Sequence, residues 1–132
     1  MKGSFKLGKI ADIGIFIHWT FSLLILFIVF INYRSGQNAT QILWSVFFVL
    51  SIFITVVMHE LGHALAAKRY NIITNDITLL TIGGIARLEK IPEKPIEELI
   101  VAIAGPLVNI VLAVITGIFI TIPATSEQLM AQ

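Results

Sequence analysis

The chain has 132 residues, 57% of them hydrophobic and only 13% charged, with a mean hydropathy of +0.92 and a formal net charge of +1. That composition excludes an ordinary soluble domain, and no basic run points to nucleic acid. With no cysteine in the sequence, disulfides and thiolate metal sites are excluded, so any metal must be held by His, carboxylate, carbonyl or water.

Residues 1–12 carry Lys2, Lys6 and Lys9 and read as a basic flank. The apolar run 15–31 then predicts a first transmembrane helix of about 26 Å, just long enough to cross a bilayer. Trp19 near its start reads as an interfacial anchor, and His18 as an interfacial residue or a neighbour of a site deeper in the chain. The run is followed by Asn32-Tyr33-Arg34 instead of a small-residue cleavage pattern, so a cleavable signal peptide is not expected. Residues 32–41 read as a short polar loop.

A second span is expected over 42–67, ended by Lys68-Arg69. Near its end lies His59-Glu60-Leu61-Gly62-His63. On a helix, residues four apart share a face, so both imidazoles can reach one zinc ion, and Glu60 sits where it can hold and deprotonate a water. With 3 His and 6 Glu in 132 residues, chance yields such a motif in roughly 0.3% of chains of this composition. The plain alternative is three polar residues bonding to neighbouring helices, but polar groups inside spans are costly and usually carry a role.

Residues 70–98 do not form a span. Ile77 to Ile82 looks strand-like, Gly83-Gly84 follows, and Ile85 to Glu89 alternates as a second strand, which predicts a small hairpin. Pro92 and Pro95 bracket a turn, and Pro95-Ile96-Glu97-Glu98 reads as a helix start. The third span is expected over 99–122, with a kink at Gly105-Pro106 and Pro123 closing it. Gly105 and Asn109 read as close packing and hydrogen bonding between helices.

The expected fold is therefore an all-α membrane protein: three transmembrane helices with a small β-hairpin between the second and third, in one membrane domain over 1–132. Of the nine Lys and Arg residues, Lys2, Lys6, Lys9, Lys68, Arg69, Arg87, Lys90 and Lys94 fall on one side of such a bundle and Arg34 on the other. The positive-inside rule then puts the N-terminus of this multi-pass protein, and the His-Glu-x-x-His end of its helix, at the cytoplasmic side.

Four stretches in order, residues 14–21, His59 to Ala64, Gly83 to Ala86 and Ala104 to Asn109, resemble the site-2 protease family of intramembrane zinc metalloproteases, in particular the branch whose members often carry C-terminal CBS domains. The resemblance implies Zn2+ held by His59 and His63, with Glu60 as catalytic acid and base. It implies cleavage of a transmembrane or membrane-anchored protein near the cytoplasmic border, as in regulated intramembrane proteolysis. The strand around Gly83 and Gly84 would bind the unwound substrate by adding it to a sheet edge. One departure stands out: the family's third zinc ligand is an aspartate in a later Leu-Asp-Gly motif, and the two Asp residues here, Asp12 and Asp76, lie in no such motif. Asp76 is the weak substitute. The departure implies the N-terminal part of a longer protease, completed by a further domain or subunit. The alternative is a catalytically incomplete membrane regulator or subunit of the same family. The di-iron reading fails for want of a second Glu-x-x-His pair; a haem reading needs axial ligands from different helices, which His59 and His63 cannot supply but His18 with His59 could in principle.

Overall fold

Seven elements follow one another in the chain: β1 (Ser4–Ile10), β2 (Ile13–His18), α1 (Thr20–Arg34), α2 (Ala39–Lys68), β3 (Thr74–Leu80), β4 (Gly83–Leu88) and α3 (Pro95–Met130). The structure, a computed structural model, describes residues 2–131, apart from the side chains of 122–126.

The four strands make one mixed sheet in the order β1-β2-β3-β4, with β1 antiparallel to β2, β2 parallel to β3, and β3 antiparallel to β4. The expected hairpin is present as β3 and β4. The all-α expectation is overturned, because a second hairpin, β1–β2, occupies the residues read as a basic flank and as the start of the first span. Its turn consists of Ala11 and Asp12, both left-handed at φ 52° and 64°, the two-residue geometry whose twist matches paired strands. Ile13, Gly14 and Ile15 are buried because β2 is an interior strand, flanked on both edges and packed on one face. An interior strand shows a continuous apolar run instead of alternation, and such a run looks the same as a buried helix segment in sequence.

The expectation of three spans fails with it. Once β2 has taken its residues, α1 retains 15 residues, about 22 Å of helix, short of the roughly 30 Å of a hydrocarbon core. Two helices are long and apolar enough to cross: α2 over Ala39–Lys68 and α3 over Pro95–Thr121. α2 opens on a capping box in which the Asn38 side-chain Oδ1 accepts from the Gln41 backbone N–H (2.9 Å) and the Asn38 backbone N–H donates to Gln41 Oε1 (3.0 Å). It ends at Lys68, as expected. α3 starts with Pro95 in its first turn and with Glu97 and Glu98 beside the free N–H groups, also as expected. It then runs unbroken past Gly105-Pro106 and Pro123 to Met130, so no stop occurs at 122.

α2 is the spine of the molecule. One stripe, Val57, Leu61 and Ala64, packs on the sheet against Ile13, Ile15, Ile77 and Ala86. Ile15, Ile77 and Ala86 are register partners, so they present a single row across three strands. Farther along, Ala67 packs with Ile72 and Val101, joining the end of α2 to the start of α3. Gly62 faces α3 so closely that an added Cβ would lie 2.7 Å from Val108 Cγ2 and 2.8 Å from the Ala104 carbonyl oxygen. The remaining faces of α2 and α3 display large apolar side chains such as Phe47, Phe48, Ile54, Ile110 and Val114. Lipid or further helices, not water, are the environment such faces suit.

Candidate metal centre

His59 and His63 project from adjacent turns of α2 onto the face that meets α3. Their rings lie 4.7 Å apart, nearly perpendicular at 82°, with the two Nε2 atoms 3.1 Å from each other. Both rings are held from behind by α3. The Nδ1–H of His63 donates to the Val101 carbonyl oxygen at 2.6 Å. A carbonyl only accepts, so this bond fixes the proton on Nδ1 and leaves Nε2 with a free lone pair. The side-chain amide of Asn109 meets His59 Nδ1 at 3.0 Å.

Val101, Gly105 and Asn109 are spaced by four residues and so lie along one stripe of α3. The middle position has to be glycine. A Cβ at Gly105 would collide with the His63 ring and would lie 2.8 Å from His59 Nε2. The missing side chain leaves room beside both Nε2 atoms. Sequence reasoning found the close packing and the interhelical hydrogen bond here but not their target. The signal available was the Gly105-x-x-x-Asn109 spacing, which puts both residues on the same face, one turn apart.

Glu60 follows His59 on the helix and is half-buried. With Thr55, Val56, His59 and Asn109 it lines an open cleft of about 290 Å³. Gly84, at the start of β4, comes down on the same place, where an added Cβ would be 2.9 Å from Val56 Cγ1 and 3.3 Å from Glu60 Cγ. Gly83 beside it has φ 140°, a conformation that glycine tolerates, and open space around it. The edge of β4 therefore runs beside the carboxylate.

The other candidates lie elsewhere. His18 bonds within its own turn, with Nδ1 at 2.8 Å from Thr20 Oγ1, and does not line the cleft. Asp76 is buried and committed to Arg87 on the neighbouring strand. The guanidinium donates through Nε to Oδ1 at 2.9 Å and through a second nitrogen to Oδ2. That bonding, with the carboxylate's charge, raises the Arg87 pKa. An aspartate so engaged is a cross-strand clamp, not a spare ligand.

Does this arrangement fit zinc? Two imidazole nitrogens on a tetrahedral zinc, each about 2.0–2.1 Å from the metal, are about 3.3 Å apart, close to the 3.1 Å found here. The Nδ1 atoms are engaged by outer partners, as is usual for metal-binding histidines, and Gly105 leaves the space clear. The pair fits as two of the three protein ligands of a catalytic zinc. Among the described residues no group of three or more His, Cys, Asp or Glu is placed to hold a metal.

Residues 47–128 match peptidase family M50. The chain is 44% identical over 115 residues to a zinc metalloprotease of Methanocaldococcus jannaschii, covering 87% of this chain and 32% of that protein. It is 32% identical to a protein of Synechocystis (strain PCC 6803) described as a candidate zinc metalloprotease, covering 98% of this chain and 37% of the other. The solved site-2 protease from Methanocaldococcus jannaschii superposes with a TM-score of 0.64 at 39% identity, over 85% of this chain and 49% of that one. The chain thus spans about a third of the length of the curated relatives it matches. With 82 of its residues (47–128) inside the family's boundaries, the chain belongs to peptidase family M50, the site-2 proteases.

Proposed function

We propose that this chain carries the two-histidine half of an intramembrane zinc endopeptidase centre, with His59 and His63 as zinc ligands and Glu60 as the general base. The observation that carries the reading is the convergence of the two Nε2 atoms at 3.1 Å, with Nδ1 of each ring engaged from α3. The reading assigns the third ligand to a further segment or subunit, so 1–132 is one part of a larger protease core. His59 and His63 would hold the zinc, which would supply a bound water of lowered pKa and a Lewis acid for the scissile carbonyl. Glu60, facing the same cleft, takes the proton of the attacking water and returns it to the leaving amine.

The substrate is a transmembrane or membrane-anchored protein. Its segment must be extended to react, because helical hydrogen bonds shield the peptide group. The exposed edge of β4, at Gly83 and Gly84, offers free backbone groups beside Glu60 on which such a segment can pair. β2 pairs with β3, so the N-terminal hairpin and the segment between α2 and α3 share one sheet. Their lysines and arginines therefore sit at one end of the molecule, which the positive-inside rule puts in the cytoplasm.

The test is cleavage of a membrane-anchored reporter by the full-length gene product, with metal content measured in parallel. Glu60→Gln should abolish cleavage while zinc stays bound. Cleavage by Glu60→Gln at the wild-type rate would remove Glu60 from its role.

A further inference from the structure

The cleft beside Glu60 has a floor with two ends. His59 and Glu60 make one end. Thr55 and Val56, each four residues earlier on α2, make the other, one turn nearer Ala39. The Thr55 hydroxyl donates to the Ser51 carbonyl oxygen at 3.0 Å, so its proton is spent on its own helix and Thr55 brings bulk to the floor but no donor. Val56 is half-buried and lies under β4, since a Cβ on Gly84 would be 2.9 Å from Val56 Cγ1. Asn109 of α3 lines the cleft with these four.

The pleat of β4 dictates how an added strand would meet this floor. Gly84 faces α2 over Val56, and Ala86 packs against the cluster of Leu61, Ala64 and Ile77, while Ile85 between them is exposed. Among the described residues no strand pairs with the outer edge of β4. A strand added there would lie about 4.8 Å farther out in the same pleat, with every second side chain directed at α2. The two residues that flank a scissile bond then face opposite ways, and one of them is aimed at the floor. The cleft, about 290 Å³ in all, must also take the zinc, a water and the reacting peptide group at the His59 and Glu60 end. Room for a side chain remains at the Val56 end. We propose that Val56 is a specificity-determining residue, whose methyl groups restrict the flanking substrate residue on the floor side to glycine, alanine or serine. The other flanking residue points away from α2 and is free to be large. The inference rests on the proposed metal centre and on pairing at β4, and it names the class of substrate segment that this site selects.

The test uses the full-length gene product in liposomes, with membrane-anchored reporters carrying Gly, Ala, Leu or Phe at either residue flanking the cut. Cleavage of each reporter is divided by that of the alanine reporter on the same enzyme preparation, so any unfolded fraction cancels. In wild type, leucine should lower cleavage about 10–200-fold at one flanking position and have little effect at the other. Val56→Ala should recover about 10-fold or more of that loss. Ile54→Ala, in the groove that Leu7 and Ile10 also line, should leave the ratio as in wild type. A second readout needs no turnover. In Glu60→Gln with Val56→Cys, a reporter with one cysteine should form a disulfide on mild oxidation when that cysteine occupies the size-restricted position, where the two Cα atoms come within reach, and not when it occupies the other. Equal ratios in wild type and Val56→Ala, a size penalty at both flanking positions or at neither, or cross-linking at the unrestricted position alone would overturn the inference and leave the metal centre standing. A wild-type enzyme that cuts no reporter, or a Glu60→Gln enzyme that cuts them at the wild-type rate, would remove the proposed centre and the inference together.

Discussion

Gly105→Ala isolates the claim that α3 shapes the metal centre. The perturbation is one methyl group. At Gly105 it would run into the His63 ring and come within 2.8 Å of His59 Nε2, and neither ring is the loose end of a flexible side chain. Each is tethered at Nδ1 to α3 itself, so neither can swing away without breaking a hydrogen bond, and the helices would have to separate. Forcing one carbon into such a contact costs about 1–3 kcal/mol. Where that cost falls on the loaded geometry, zinc affinity drops by roughly 5- to 150-fold at 1.4 kcal/mol per decade. The assay is zinc competition against a chelator, with far-ultraviolet circular dichroism to confirm that helix content is kept. Alanine is a better helix former than glycine, so a loss of binding with intact helicity locates the fault in the cleft. Wild-type affinity in Gly105→Ala would refute the close approach from which the site is built.

Three further outcomes follow from the packing. Gly62→Ala puts a methyl within 2.8 Å of the Ala104 carbonyl oxygen and nearer still to Val108, so it should lower stability by about 1–3 kcal/mol, read as a fall in the thermal midpoint in detergent. Ala11→Gly relieves a left-handed residue in the β1–β2 turn and should raise stability by about 1 kcal/mol; a lower midpoint would deny that turn. Arg87→Ala leaves the Asp76 carboxylate buried without its partner and should lower the thermal midpoint. The double variant Arg87→Ala, Asp76→Ala should recover part of the loss. Additive losses in that cycle would show that the pair is not coupled.

The placement of the candidate site's helix residues was legible in the sequence because it is local. His59, Glu60 and His63 belong to one helix, and helical spacing alone brings them together. The β3–β4 hairpin was legible too, through the Gly83-Gly84 punctuation and the alternation after it. The N-terminal hairpin was missed although Phe5, Lys6 and Leu7 alternate in the manner of an edge strand. The lysines suggested a flank, and the apolar run 13–18 merged without a break into α1. An interior strand and the start of a membrane helix share one composition, and what separates them here is pairing with β3, some sixty residues away. The roles of Val101, Gly105 and Asn109 were hidden for a related reason. They act on α2 across an interhelical contact, and one of them acts through a backbone carbonyl, which no side-chain pattern can reveal.

The centre itself is tested most directly by X-ray absorption at the zinc edge on the loaded protein. The spectrum should show imidazole scattering from nitrogens about 2.0–2.1 Å from the metal, diminished by one ring in His59→Ala and again in His63→Ala. A spectrum without imidazole, or one that neither substitution alters, would contradict the assignment of these two histidines as the metal's hold on α2.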